Sequence, residues 1–169
     1  RAIAVLSAPE AVLLRSSARP IVLVRLRSDA SLAGALAPGL DRVGVMLAYT
    51  PLHHLLLEAV ARPLVMTSGN LSEEPIAIGL DEGRERLRPL SDAFLLHDRE
   101  ILSRCDDSVV RVAGAHAVIQ RRARGYAPLP VRLPVAAPQP IIAVGPHLKN
   151  TFTLVRGDQS DWLPEERAD

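Results

Sequence analysis

Pro63-Leu64-Val65-Met66-Thr67-Ser68-Gly69-Asn70 passes from an apolar run into two hydroxyls, a glycine and an amide. The run Leu64 to Met66 predicts a buried strand. Such a strand delivers Thr67, Ser68, Gly69 and Asn70 to its C-terminal end, where open α/β sheets bind ligands. Ser68 and Asn70 are two apart and share a face wherever the chain is extended. Gly69 lets a ligand approach the backbone closely. Short hydroxyls, an amide and main-chain N–H groups suit phosphate oxygens. The same residues are also ordinary turn chemistry.

Before this segment, Pro20 introduces Ile21 to Leu26, an apolar run of the kind buried on both faces of a sheet. Upstream, Glu10 to Arg15 reads as the end of a helix. Ala37-Pro38-Gly39 is loop, and Val43 to Leu47 is a second strand candidate. Thr50-Pro51 has the form of an N-cap followed by proline at the first helical position, so a helix is expected over Leu52 to Val60. Gly79 to Leu87 predicts a charged helix, and Ala93 to His97 a strand. Ser108 to Val112 and His116 to Arg122, joined through Ala113-Gly114, predict a β-hairpin. Prolines at 128, 130, 134, 138 and 140 mark an extended linker. Beyond it, Ile141 to Val144 and Thr151 to Val155 form two strands around Gly145-Pro146-His147-Leu148-Lys149-Asn150. The expected class is α/β (α+β): a twisted mixed sheet with flanking helices over 1–127, a linker over 128–140, and a hairpin opening a second domain over 141–169.

The bulk numbers narrow the function. Apolar residues make up 48% of the 169, so a core is expected, and with aromatics at 3% that core is aliphatic. A net charge of +1 argues against a protein whose main task is coating nucleic acid. The single cysteine, Cys105, excludes an intrachain disulfide and a thiolate zinc cluster, and fits a reducing cytoplasm. No apolar run approaches the roughly 20 residues of a membrane helix. The N-terminus lacks signal-peptide order, so the cytoplasm is the expected location, away from membranes.

Three further clusters carry chemistry. Arg121-Arg122-Ala123-Arg124-Gly125 sets guanidiniums at the end of a predicted strand, with Arg122 and Arg124 on one face and Arg121 on the other. Arginine binds phosphate bidentately; a solvated edge-strand end is the competing reading. Asp106 and Asp107 could hold Mg²⁺ or act as acid and base, whereas Asp-Asp-Ser before a strand is more often a solvated turn. Cys105 has no evident base beside it and reads as a buried structural thiol. His53 and His54 point about 100° apart on a helix and cannot share a metal in the i, i+4 manner.

Several strings resemble the YrdC-like domain of the HypF carbamoyltransferases of [NiFe]-hydrogenase maturation. They are Gly44-Val45-Met46-Leu47, Tyr49-Thr50-Pro51-Leu52-His53, Val65 to Ser72, Phe94 to Arg99, Arg104 to Arg111 and Arg121 to Pro128. Ala143-Val144-Gly145 and His147 to Phe152 resemble the opening of that family's Kae1-like domain. The resemblance implies a sheet whose concave face binds ATP, with Mg²⁺, and forms carbamoyl-adenylate from carbamoyl phosphate. It implies transfer of the carbamoyl group to a cysteine thiol of a HypE partner. It places the nucleotide-binding residues at Thr67, Ser68, Asn70, Ser108, Arg121, Arg122 and Arg124, with no covalent catalytic residue and no metal ligand among them. Positioning and charge neutralisation suffice for nucleotidyl transfer. The fold alone also implies double-stranded RNA binding.

The sequence departs from that pattern. The family's basic phosphate-gripping motif, its acylphosphatase domain, its zinc-finger cysteines and its Kae1-like histidine ligands are all absent, so zinc is expected only in parts of the full protein missing here. Ala48 and Pro146 are atypical, and the pattern fades after Gly157. A fragment unable to complete carbamoyl transfer alone is therefore expected. Two alternatives stay open: a Sua5/YrdC-type threonylcarbamoyl-adenylate synthase of tRNA modification, and a non-catalytic nucleotide- or RNA-binding module.

Overall fold

Strand pairing decides which apolar runs become sheet. The computed structural model describes residues 3–30, 35–145 and 151–164, with main chain only for 161–164. The chain divides into two compact units, Arg1–Leu64 with Asp107–Tyr126, and Val65–Asp106 with Ala127–Asp169.

In the first unit, β2 (Ile21–Leu26) is the central strand. β3 (Arg42–Val45) runs antiparallel along Val22 to Arg25. The opposite edge is shared: β1 (Ala4–Val5) pairs antiparallel at Arg25 and Leu26, and β4 (Val109–Ala113) pairs parallel at Ile21 and Val22. β5 (His116–Arg121) closes the hairpin with β4 through Gly114, whose φ of +61° a glycine adopts without strain. One parallel pairing among antiparallel ones makes the sheet mixed, as expected.

β2 shows why this region is the core. Its burial alternates, with Val22 and Val24 fully enclosed and Ile21 and Leu23 half-buried. One face is therefore sealed, not both. Ala4 and Leu14 join those valines, and Leu6, Leu13, Val43 and Val45 pack around them. Removing two methyl groups from Val22 would cost about 2 kcal/mol. Leu14 is brought there by α1 (Ala8–Arg15), whose start is fixed by a capping box. Ser7 N donates to Glu10 Oε2 at 2.8 Å, and Glu10 N donates to Ser7 Oγ at 3.4 Å. α2 (Pro51–Val60) starts as expected, with His53 N donating to Thr50 Oγ1 at 3.1 Å.

In the second unit, α3 (Leu80–Leu87) is the charged helix, continued by a 3₁₀ turn over Arg88–Leu90. The later residues form an antiparallel sheet in the order β6 (Val131–Arg132), β9 (Gln159–Pro164), β8 (Thr151–Arg156), β7 (Ile141–Ala143). The proline-rich stretch contributes β6, and Leu133 N and Ala137 N donate to Asp158 O and Gly157 O. Pro146 to Asn150 lie outside the described residues.

Two strand expectations are overturned. Leu64 to Met66 and Ala93 to His97 join no sheet, and Val65, Met66, Phe94, Leu95 and Leu96 are exposed. An apolar run alone does not make a strand; its N–H and C=O groups need a neighbouring ladder.

Candidate functional site

The predicted residues fall in both units, and each group has its own local logic.

Thr67 is exposed, and the chain after it turns. Asn70 N donates to Ser68 O at 3.1 Å, so the backbone is closed rather than extended here. Ser68 Oγ nonetheless donates to Asn70 Oδ1, bringing the two side chains together. Asn70 Nδ2 donates to Leu71 O at 2.8 Å. Ala77 N returns to Gly69 O at 2.9 Å, making a loop of 69–77. Arg86 of α3 clamps that loop through ion pairs to Glu74 and a bond to Pro75 O at 3.2 Å. Glu82 pairs with the same Arg86, while its other oxygen accepts from Ile78 N and Gly79 N. Those acceptor bonds and Arg86 together hold the Glu82 carboxyl below its ordinary pKa despite the opposing pull of burial, the largest single influence.

In the first unit Ser108 is a node. Its side chain is fully buried; Oγ accepts from Ala123 N at 2.7 Å and donates to Arg124 O at 3.0 Å. Its carbonyl accepts from Ile21 N at 2.8 Å. The hydroxyl thus fixes the segment after β5.

Arg124 is more heavily committed than its sequence suggests. Nε donates to Asp107 Oδ1 at 2.6 Å, and the terminal nitrogens donate to Ala18 O and Arg19 O at 3.2 and 2.9 Å. The guanidinium carbon lies 3.5 Å from the centroid of the Tyr49 ring. His53 meets that ring edge-on at 4.6 Å. Burial, then the Asp107 charge, raises the Tyr49 phenol above its ordinary pKa, with Arg124 pulling the other way. Asp107 is therefore an ion-pair partner, with a quarter of its side chain exposed, and not part of a solvated turn.

Arg122 and Arg124, expected on one face, have different partners. β5 ends at Arg121, so strand alternation stops there. Arg121 donates to Asp107 O at 3.4 Å, on the residue that Arg124 grips. Arg122 instead donates to Tyr126 O at 3.1 Å and sits 5.8 Å from that ring, and burial holds its pKa below the ordinary value. Cys105 is exposed rather than buried, with Sγ 3.7 Å from Asp106 O. Among the described residues, no three metal-ligating side chains cluster, and no helix is long and apolar enough to cross a membrane.

Sequence reasoning missed Asp107, Tyr49, Glu74 and Arg86 as structural partners. Only the Glu82–Arg86 spacing of i, i+4 was a readable signal.

A mixed sheet with a capped N-terminal helix and a basic segment after its last hairpin defines an α/β domain, and comparison with known families places it. The family model Sua5/YciO/YrdC, described as telomere recombination, matches residues 2–123, and the chain belongs to that family. Within it, the chain is similar to proteins named carbamoyltransferase HypF. The Synechocystis sp. protein is 47% identical over 89% of this chain, which spans 20% of that relative. HypF2 of Cupriavidus necator is 51% identical over 89% of this chain and 21% of its own length. A crystal structure described as full-length HypF in the phosphate- and nucleotide-bound form superposes with a TM-score of 0.86. It is 44% identical, over 96% of this chain and 26% of that one. The chain thus spans about a fifth of its curated relatives.

Proposed function

We propose that this chain is the YrdC-like part of a carbamoyltransferase that activates a carbamoyl group with ATP. In this reading carbamoyl phosphate is hydrolysed to carbamate and inorganic phosphate. A carbamate oxygen then attacks the α-phosphorus of magnesium-bound ATP, and pyrophosphate leaves. The resulting carbamoyl-adenylate passes its carbamoyl group to a cysteine thiol of a HypE-type partner, releasing AMP and the thiol proton. Residues 1–127 form the activating domain, 128–140 join it onward, and 141–169 begin the next domain. The reaction belongs in the cytoplasm.

The observation that carries this reading is identity near one half to carbamoyltransferases across almost the whole chain. The nucleotide-bound state of the solved HypF supports ATP as the activating substrate. The resemblance assigns nucleotide binding to Thr67, Ser68 and Asn70 in one unit and to Ser108, Arg121, Arg122 and Arg124 in the other. Oriented donors and fixed positive charge stabilise a departing pyrophosphate without a covalent nucleophile.

The test is ATP–pyrophosphate exchange by the full-length protein. Exchange that requires carbamoyl phosphate is the expected result. Exchange that requires threonine and bicarbonate instead would establish the threonylcarbamoyl-adenylate chemistry of the wider family. Retention of double-stranded RNA without any exchange would leave a binding module.

A further inference from the structure

We infer that Arg86 is a positioning residue for the Ser68-Gly69-Asn70 turn, acting from α3 through Glu74 and Glu82. The inference rests on the nucleotide-binding reading of that turn and adds a residue to it.

The turn is held partly by bonds of its own. The bonds within Ser68 to Leu71 are local, between residues one or two apart. Local side-chain bonds compete with water and define a conformation weakly. A longer tie is Ala77 N to Gly69 O, which closes a loop whose far side carries Glu74 and Pro75. Arg86 seizes that far side. Its Nε and one terminal nitrogen bond Glu74 Oε2, the same terminal nitrogen reaches Pro75 O, and the other terminal nitrogen bonds Glu82 Oε1. Glu82 Oε2 meanwhile accepts from Ile78 N and Gly79 N, so the carboxylate joins the loop's exit to the start of α3. Arg104 Nε fixes the intervening Ile76 O at 2.9 Å. On the other side, a Cβ built on Gly69 would lie 3.3 Å from Leu87 Cδ1, so the next residue of α3 supports the turn itself.

An isolated surface ion pair contributes little, but here one guanidinium satisfies two carboxylates and a carbonyl and is itself only 24% exposed. Its planar fork explains why arginine stands there: an ammonium cannot reach all three acceptors with fixed geometry.

The test uses the full-length protein, with direct titration of ATP and amide hydrogen exchange as separate readouts. Arg86→Ala is expected to speed exchange at the Asn70 and Ala77 amides about tenfold, to weaken ATP binding about tenfold, and to leave exchange in β2 and β4 unchanged. Arg86→Lys should recover part of both losses. Where Arg86→Ala gives no folded protein, Glu74→Gln carries the same measurements. Unchanged exchange at Asn70 and Ala77 would overturn the inference, as would faster exchange with undiminished ATP affinity. A wild-type protein that binds ATP without carbamoyl-phosphate-dependent exchange would remove the carbamoyl reading and leave this inference standing. A wild-type protein that binds no ATP would defeat both.

Discussion

The segment after β5 and the Ser68–Asn70 turn are both short, polar and expected to meet a nucleotide, yet they are held in opposite ways. Arg121 to Gly125 hangs on a buried frame. Ser108 is enclosed beneath it, Ala123 is 4% exposed, and Arg124 is gripped by Asp107, Tyr49 and two carbonyls. The turn has no such frame, because no residue from 65 to 106 is buried. Ion pairs and main-chain bonds hold it instead. Substitutions in the first segment should therefore be read in stability, and in the second in binding.

Glycine-to-alanine changes break this comparison most sharply. Gly125 has a φ of +89°, and a Cβ there would strike Ala18 O and lie 2.8 Å from Ala18 Cα. Both obstacles are backbone and cannot rotate away. Gly125→Ala should cost about 3 kcal/mol or more. At Gly69 the Cβ would meet only the end of the Leu87 side chain, which can move, so Gly69→Ala should cost less than about 1 kcal/mol. Urea midpoints of the two variants check the pair; equal midpoints would erase the distinction between frame and turn.

A smaller effect separates the units by pH. Both tyrosines of the chain, Tyr49 and Tyr126, belong to the first unit, and burial raises both phenols above their ordinary pKa. A raised folded-state value means the native state holds its proton more tightly than the unfolded chain does. The associated stability is present below the unfolded phenol value near 10 and is lost as pH rises through the folded value. The urea midpoint of the first unit should fall above about pH 10, and Tyr49→Phe should flatten that dependence. An alkaline loss of equal steepness in the variant would place its origin elsewhere.

The same contrast explains what could be read from the sequence. α2, β2 and the β4–β5 hairpin were legible because their signals are local: a cap with a proline at the helix start, an apolar run, a glycine turn; of α1 only the end, Glu10 to Arg15, was legible. Leu64 to Met66 misled because its composition suits a strand while its pairing partner decides the matter. β1 and β6 are two residues each, too short for any period to show. The HypF resemblance was legible from long strings, and the comparisons bear it out. The ion pair of Asp107 with Arg124 was not legible: it spans 17 positions and joins a residue before β4 to one after β5.

The smallest expected stability effect is at Asn70, and it sharpens the comparison furthest. Its side chain accepts from Ser68 Oγ and donates to Leu71 O, both within two residues and both part-buried. Local bonds of this kind contribute about 1 kcal/mol or less, because water replaces them readily. Asn70→Ala should leave the melting temperature of the full-length protein nearly unchanged while weakening ATP binding, since the lost amide accepts from Ser68 Oγ. Calorimetric titration of ATP beside a thermal melt checks both halves. A large drop in melting temperature with undiminished affinity would assign Asn70 to turn formation alone. That outcome would also make the turn resemble the buried Ser108 node, and the contrast between a framed segment and a turn held by local bonds and ion pairs would be lost.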